Sequence, residues 1–216
     1  MCRRLLFILS LFMMLSIVGK APAQDADVLI RSPDLAMPVI DGVMEDVWSY
    51  STEQEITKVT AGSNPSSPAD CSGVWRALWD WDHIYVWVEV NDEALNNDSG
   101  PDSKWNDDSI EFYIDGDNSK GDTCDENDHQ YTCRWNNAEI EEPSAIHNGE
   151  PSLVGFEYAI VTTGSGYIYE ARIPWMSIMG QSPTAGQLIG IESNSFQDFL
   201  GFCMYAVTFM DFILIL

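Results

Sequence analysis

Along several stretches of the chain, apolar and polar residues alternate with the two-residue period of half-buried strands. The clearest is residues 84–90, where Ile84, Val86, Val88 and Val90 take one face and Tyr85, Trp87 and Glu89 the other. The apolar run 74–79 precedes it, and Asp80, Trp81, Asp82 and His83 between them predict the turn of a hairpin. A further strand is expected over 110–114, with Ile110, Phe112 and Ile114 inward and Glu111 and Tyr113 on the opposite face. Residues 131–135 read as another strand. Residues 155–161 and 167–173 read as a second hairpin across the Thr/Gly/Ser turn 162–166. Pro174 stops that strand and 188–192 predicts the next. Residues 40–48 read as a turn with a short packed segment, and 64–70 as a Pro/Ser loop. No window carries the period of an ordinary amphipathic helix, and no repeat of about 20–50 residues is visible. The expected fold is all-β: an antiparallel β-sandwich of jelly-roll-like type with little helix.

The two ends depart from this pattern. Arg3 and Arg4, the apolar run 5–18 and the small residues Ala21, Pro22 and Ala23 predict a cleaved export signal over 1–23. The apolar run is short for a bilayer span. Residues 24–38 then form a lead-in, 39–198 the β-sandwich domain, and 199–216 an atypical hydrophobic segment with one charge, Asp211. That segment reads as terminal strand material; a membrane anchor and a disrupted end are the alternatives.

Charge narrows the partners. Among 216 residues, 34 Asp and Glu stand against 10 Lys and Arg, a formal net charge of -24 that repels nucleic acid and anionic membrane surfaces. Eight Trp, nine Phe and eight Tyr supply far more core material than a disordered acidic chain carries. Trp48, Trp79, Trp175, Tyr85 and Trp87 read as packing residues. Export implies a secreted, periplasmic or cell-surface location. There Cys71, Cys124, Cys133 and Cys203 become disulfide candidates, with Cys124–Cys133 preferred and Cys71–Cys203 following only if the C-terminal stretch is genuine. A zinc site at Cys124, His129 and Cys133 is the rival, without a convincing fourth ligand.

Two constellations carry candidate chemistry. Residues 98–128 hold 11 acids against Lys104 and Lys120, a density that implies either solvation or a shared hard cation. Asp115, Asp117, Ser119, Asp122 and Glu126 follow a spacing close to an EF-hand loop, although Lys120 stands where that loop needs Gly and a strand precedes it. Structural calcium is expected there, with a merely solvated loop as the alternative. In the second constellation Trp105 sits in a polar loop, where its flat face can stack on a sugar ring. Glu111 can accept hydrogen bonds from hydroxyls and Arg134 can donate them. The bland alternative packs Trp105 on the sheet and leaves Glu111 solvated. Trp81, in its exposed turn, is a candidate secondary contact. There is no Gly-x-Ser-x-Gly or His-Glu-x-x-His, and no carboxyl pair is marked out, so catalysis has no support. Polar loops account for His83, His129 and His147.

Four motifs fall together in order and spacing: Ile40-Asp41-Gly42 before Trp48; Leu78-Trp79-Asp80 with Ile84-Tyr85-Val86; Trp105 with Asp108-Ser109-Ile110-Glu111-Phe112-Tyr113-Ile114-Asp115; and Tyr169-Glu170-Ala171-Arg172-Ile173-Pro174-Trp175. Over about residues 40–192 they resemble the family 9 carbohydrate-binding module and its wider DOMON-like superfamily. The resemblance implies a non-catalytic, calcium-bearing β-sandwich that binds oligo- or polysaccharide, such as the ends of xylan or cellulose chains, and works beside a glycoside hydrolase. It implies that Trp105 is one of two Trp walls around a terminal sugar, that Glu111 and Arg134 bind its hydroxyls, and that Asn194 and Gln197 supply amides. No Trp follows Trp175, so either Phe196 or Phe199 replaces the second wall or the site is incomplete. A small glycoside hydrolase and a haem-binding or structural surface module are the alternative functions.

Overall fold

The structure, a computed structural model, describes residues 27–30, 36–56, 58–62, 64–99, 107–120, 125–136, 140–141, 153–196, 203–206 and 210–215. The predicted signal, 1–23, lies outside these residues. In chain order the strands are β1 (Asp27–Ile30), β2 (Gln54–Ile56), β3 (Lys58–Gly62), β4 (Ser72–Trp79), β5 (His83–Asn91), β6 (Ser109–Asp115), β7 (Asp128–Arg134), β8 (Ile140–Glu141), β9 (Glu157–Thr162) and β10 (Gly166–Pro174). The helix α1 (Trp175–Met179) follows, then β11 (Leu188–Phe196), β12 (Cys203–Ala206) and β13 (Met210–Ile215).

These strands form two antiparallel layers. One runs β9-β10-β5-β4-β2, the other β8-β7-β6-β11 with β12 and β3 beyond. The core lies between them. Trp75 and Trp79 of β4, Val86 and Val88 of β5 and Tyr169 of β10 meet Ile110, Phe112 and Ile114 of β6 and Tyr131 of β7. The Phe112 and Tyr169 rings stand 5.4 Å apart across the layers. The inward set of β6 is therefore the one its alternation predicts.

The ends of the described chain add a feature that alternation does not reveal. β13 pairs antiparallel with β11 and parallel with β1, and β1 pairs parallel with β4, joining the layers along one edge. The architecture is thus antiparallel except at this seam. The hydrophobic tail contributes two strands, as its strand reading expects, and the lead-in contributes a third. Exposed sheet edges leave backbone donors and acceptors unpaired, so two apolar segments from opposite ends of the chain satisfy each other there.

The second face of β5 is also covered, as the packing reading of Tyr85 and Trp87 expects, although alternation alone suggests a half-exposed face. Tyr85 and Trp87 are 3% and 1% exposed because residues 36–51 cross that face as a strap, with a 3-10 turn at Asp46–Tyr50. Trp48 packs on Trp87 with ring centroids 6.0 Å apart, and Leu78 and Ile168 complete the patch. Glu170 of β10 anchors the strap. One carboxylate oxygen accepts from the backbone N–H groups of Gly42 at 2.8 Å and Asp41 at 3.0 Å, and the other from Trp48 Nε1 at 3.1 Å. Gly42 has φ +76°, and an added Cβ would lie 2.4 Å from Val161 Cγ2, so the turn requires glycine. At the next motif, Trp175 donates from Nε1 to the Asp80 carbonyl at 2.8 Å and from its backbone N–H to the Asp82 carbonyl at 2.9 Å. Three of the four sequence motifs are therefore parts of two structural clasps.

Candidate functional site

The alternation that sends Ile110, Phe112 and Ile114 into the core turns Ser109, Glu111 and Tyr113 to the other face of β6. In register, Glu111 stands between Thr132 of β7 and Asn194 of β11, Ser109 between Arg134 and Phe196, and Tyr113 between Gln130 and Glu192. Glu111, Arg134 and the position of Asn194 thus come together on neighbouring rungs of three adjacent strands. Phe196 occupies the rung of Arg134. Trp105, Gln197 and Phe199 lie outside the described residues.

Glu111 faces away from the core, yet it is 5% exposed, so the solvated alternative does not hold. Thr132 Oγ1 donates to one of its oxygens at 2.9 Å and Tyr113 Oη to the other at 2.6 Å. Burial pushes the carboxyl above its usual range, while hydrogen bonds from Tyr113, Thr132 and Gln130 partly pull it back. Such a group accepts well because little bulk water competes for it.

Arg134 is held by a partner that sequence reasoning missed. Its Nη1 lies 2.7 Å from Oδ2 of Asp107, whose side chain is fully buried, and 3.3 Å from Asn97 Oδ1. Burial alone would raise the Asp107 carboxyl, but hydrogen bonds from Arg134 and the Ser99 backbone outweigh it and hold it below its ordinary value. Next to it, the Asp108 carboxylate accepts from the Asn96 backbone N–H, and the Asp108 carbonyl accepts from Trp135 N at 2.7 Å. Two consecutive buried acids therefore fold the polar connection after β5 onto the ends of β6 and β7. A two-residue spacing was the available signal for Tyr113, beside Glu111, and for Thr132, beside Arg134. Asp107 gave none, since its partner is 27 residues away.

The acidic loop is tied mainly to itself. The Asp115 oxygens accept from Ser119 N at 3.1 Å and Lys120 N at 3.0 Å, while Asp117 accepts from Ser119 N at 3.1 Å and Asn127 Nδ2 at 3.2 Å. The Asp117 to Ser119 bond is that of an Asx turn, the two to Asp115 are local side-chain to backbone bonds of slightly longer reach, and the Asn127 bond closes the loop side chain to side chain. Asp117 is pushed upward by burial first and then by its neighbours Asp115 and Asp125. Ser119 and Glu126 are exposed, and Asp122 lies outside the described residues. Among the described residues, no three His, Cys, Asp or Glu side chains are grouped as a metal site.

His129 and Cys133 are not loop residues. β7 begins at Asp128, and its parity turns His129, Tyr131 and Cys133 inward. His129 Nε2 lies 2.7 Å from the Ile178 carbonyl, and Cys133 Sγ donates to Tyr169 Oη at 3.2 Å. These contacts remove two of the three residues of the zinc alternative. No disulfide joins the described side chains; Cys124 lies outside them, and of Cys203 only the strand position is described. Trp81 is 41% exposed and stands edge-on to Trp79, with centroids 5.6 Å apart.

A family model described as carbohydrate family 9 binding domain-like matches residues 40–201. Endo-1,4-beta-xylanase A of Thermotoga neapolitana is 31% identical over 165 residues, which are 76% of this chain and 14% of the xylanase. The exoglucanase XynX of Acetivibrio thermocellus is 29% identical over 176 residues, 82% of this chain and 14% of that enzyme. Each of these relatives is thus matched over about a seventh of its length. Two solved structures of a family 9 carbohydrate-binding module from Caldicellulosiruptor kristjanssonii share the fold. The complex with cellotriose has a TM-score of 0.71 at 19% identity, over 88% of this chain and 93% of that one. The complex with glucose has 0.69 at 20%, over 86% and 94%.

Proposed function

The chain belongs to the carbohydrate family 9 binding domain-like family, and from that membership we propose that it binds the terminal sugar of a β-1,4-linked glucan or xylan on the face of β6, β7 and β11. The supporting observation is the convergence there of a buried acceptor, Glu111, and a fixed donor, Arg134, on adjacent strands, with Asn194 on the rung of Glu111. A carboxylate and a guanidinium side by side match the donor and acceptor pair that neighbouring hydroxyls present. The named relatives are a xylanase and an exoglucanase, and the solved modules hold cellotriose and glucose. We assign Trp105, two residues before Asp107, as the stacking wall, Phe196 as the replacement for the missing second wall, and Gln197 as an amide contact. The partners of this reading are a polysaccharide and a glycoside hydrolase acting on it, outside the cell or at its surface.

Two substitutions test the site. Trp105→Ala removes the ring contact and is expected to cost about 1–3 kcal/mol of binding, roughly five-fold to more than a hundred-fold in affinity. Glu111→Gln keeps the shape but loses the charge that strengthens its bonds, so affinity falls with little change in fold. Equal binding of cellotriose by wild type and both variants would place the sugar elsewhere.

Calcium on the loop 115–127 is a separate proposal. It rests on the crowding of Asp117 by Asp115 and Asp125, which a cation relieves; Asp115, Asp117, Ser119, Asp122 and Glu126 would form the ligand set. At fixed ionic strength, calcium at about 100 times its Kd is expected to add about 2.7 kcal/mol to stability. Identical unfolding midpoints in chelator and in excess calcium would reduce the loop to a self-bonded acidic turn.

A further inference from the structure

We infer that Tyr113 and Thr132 are positioning residues that fix the Glu111 carboxylate in the orientation that receives a sugar hydroxyl, an inference that rests on the sugar-binding reading above. A glutamate carries three side-chain torsions, and an unrestrained carboxylate would have to lose that freedom, and its water, each time a ligand arrived. Here both costs are met in the fold. Thr132 reaches one oxygen from the neighbouring strand and Tyr113 the other from two residues along the same strand, at 2.9 and 2.6 Å. The side chain is 5% exposed, so it cannot turn into solvent without breaking both bonds. Each oxygen keeps acceptor capacity on the side away from its fixed donor. The same two residues share a face with Glu111 by strand parity and register, so the clamp is part of the sheet.

A purely structural alternative exists: the hydroxyls satisfy a buried acid and do nothing for a ligand. The pH dependence of binding separates the two. Sugar hydroxyls donate to the ionised carboxylate, so affinity falls as pH drops through the Glu111 value, which burial already raises. Removing a hydroxyl that favours the anion raises that value further, so the acid limb of binding moves to higher pH. The charged groups around Glu111 are Arg134 toward one end of its face, Asp115 and Asp128 toward the other, Glu192 by register on β11, and Glu141 of β8 by register beyond Thr132. All of them are unchanged in the variants.

The experiment is calorimetric titration of the full chain with cellotriose across pH, using wild type, Tyr113→Phe, Thr132→Val, Thr132→Ser and Glu111→Gln, with thermal midpoints as the check on folding. Tyr113→Phe and Thr132→Val are expected to weaken binding at neutral pH about three- to ten-fold and to move the acid limb upward by about half to one pH unit. Thr132→Ser keeps the hydroxyl and should restore wild-type behaviour, and Glu111→Gln should abolish the limb. If Glu111→Gln binds as wild type does at every pH, the sugar-binding role of Glu111 fails and takes this inference with it. If Glu111→Gln weakens binding while the Tyr113 and Thr132 variants keep the wild-type limb, only the positioning role is overturned.

Discussion

Replacing Glu170 with alanine is expected to lower the free energy of unfolding by about 3–5 kcal/mol, because it strands three donors at once and leaves a void. The carboxylate is fully buried on the outer face of β10, where it receives the backbone N–H groups of Asp41 and Gly42 and the indole N–H of Trp48. Freeing these groups releases the strap from Leu78, Tyr85 and Trp87, so the loss should come with a red shift of tryptophan fluorescence. Glu170→Gln should be milder, about 1–3 kcal/mol. It retains one acceptor oxygen but turns an N–H group toward a donor. Urea unfolding of the three proteins measures the series, and an unchanged midpoint in Glu170→Ala would show that the strap is held by its apolar contacts alone.

Asp107→Ala is expected to cost about 2–4 kcal/mol and to weaken sugar binding as well. It leaves the Arg134 guanidinium, whose side chain is 14% exposed, without its carboxylate, and the Ser99 backbone N–H without its acceptor. Its pH signature follows from the direction of the shift. Burial opposes ionisation, but the bonds from Arg134 and Ser99 prevail and hold the carboxyl below its ordinary value. A group lowered on folding contributes stability above its unfolded value, and that contribution fades as pH falls through the lowered one. The gap between wild type and Asp107→Ala should therefore be widest near neutrality and close under acid conditions. A gap that does not change with pH would assign the loss to packing.

The period-two pattern exposed the strands at 84–90 and 110–114, and with them the rung that carries Glu111, because parity alone decides which residues face the core. What it left out depends on partners distant in the chain. The outer face of β5 is buried only because residues 36–51 lie over it, and nothing within 84–90 encodes that cover. β1 and β13 come from opposite ends of the sequence, so their parallel pairing has no local signal. β7 starts three residues earlier than the stretch 131–135 suggests, which places His129 on an inward face and removes it from the acidic loop. Glu111 was legible as a candidate but not as a buried one, since its burial follows from two neighbouring strands and two hydroxyls. Arg134 was likewise legible, while Asp107, which holds it, looked like one more acid in an acidic stretch.

The central claim is that this face binds a sugar terminus, and the direct measurement is calorimetric titration of the wild-type chain with cellotriose and xylotriose at neutral pH. The expected result is saturable binding of at least one of them at one site per chain, with that sugar displaced when a second oligosaccharide competes for the same site. The absence of any heat of binding up to about 10 mM of either sugar, with the protein folded, would contradict it, since affinity weaker than that corresponds to less than about 3 kcal/mol of binding free energy.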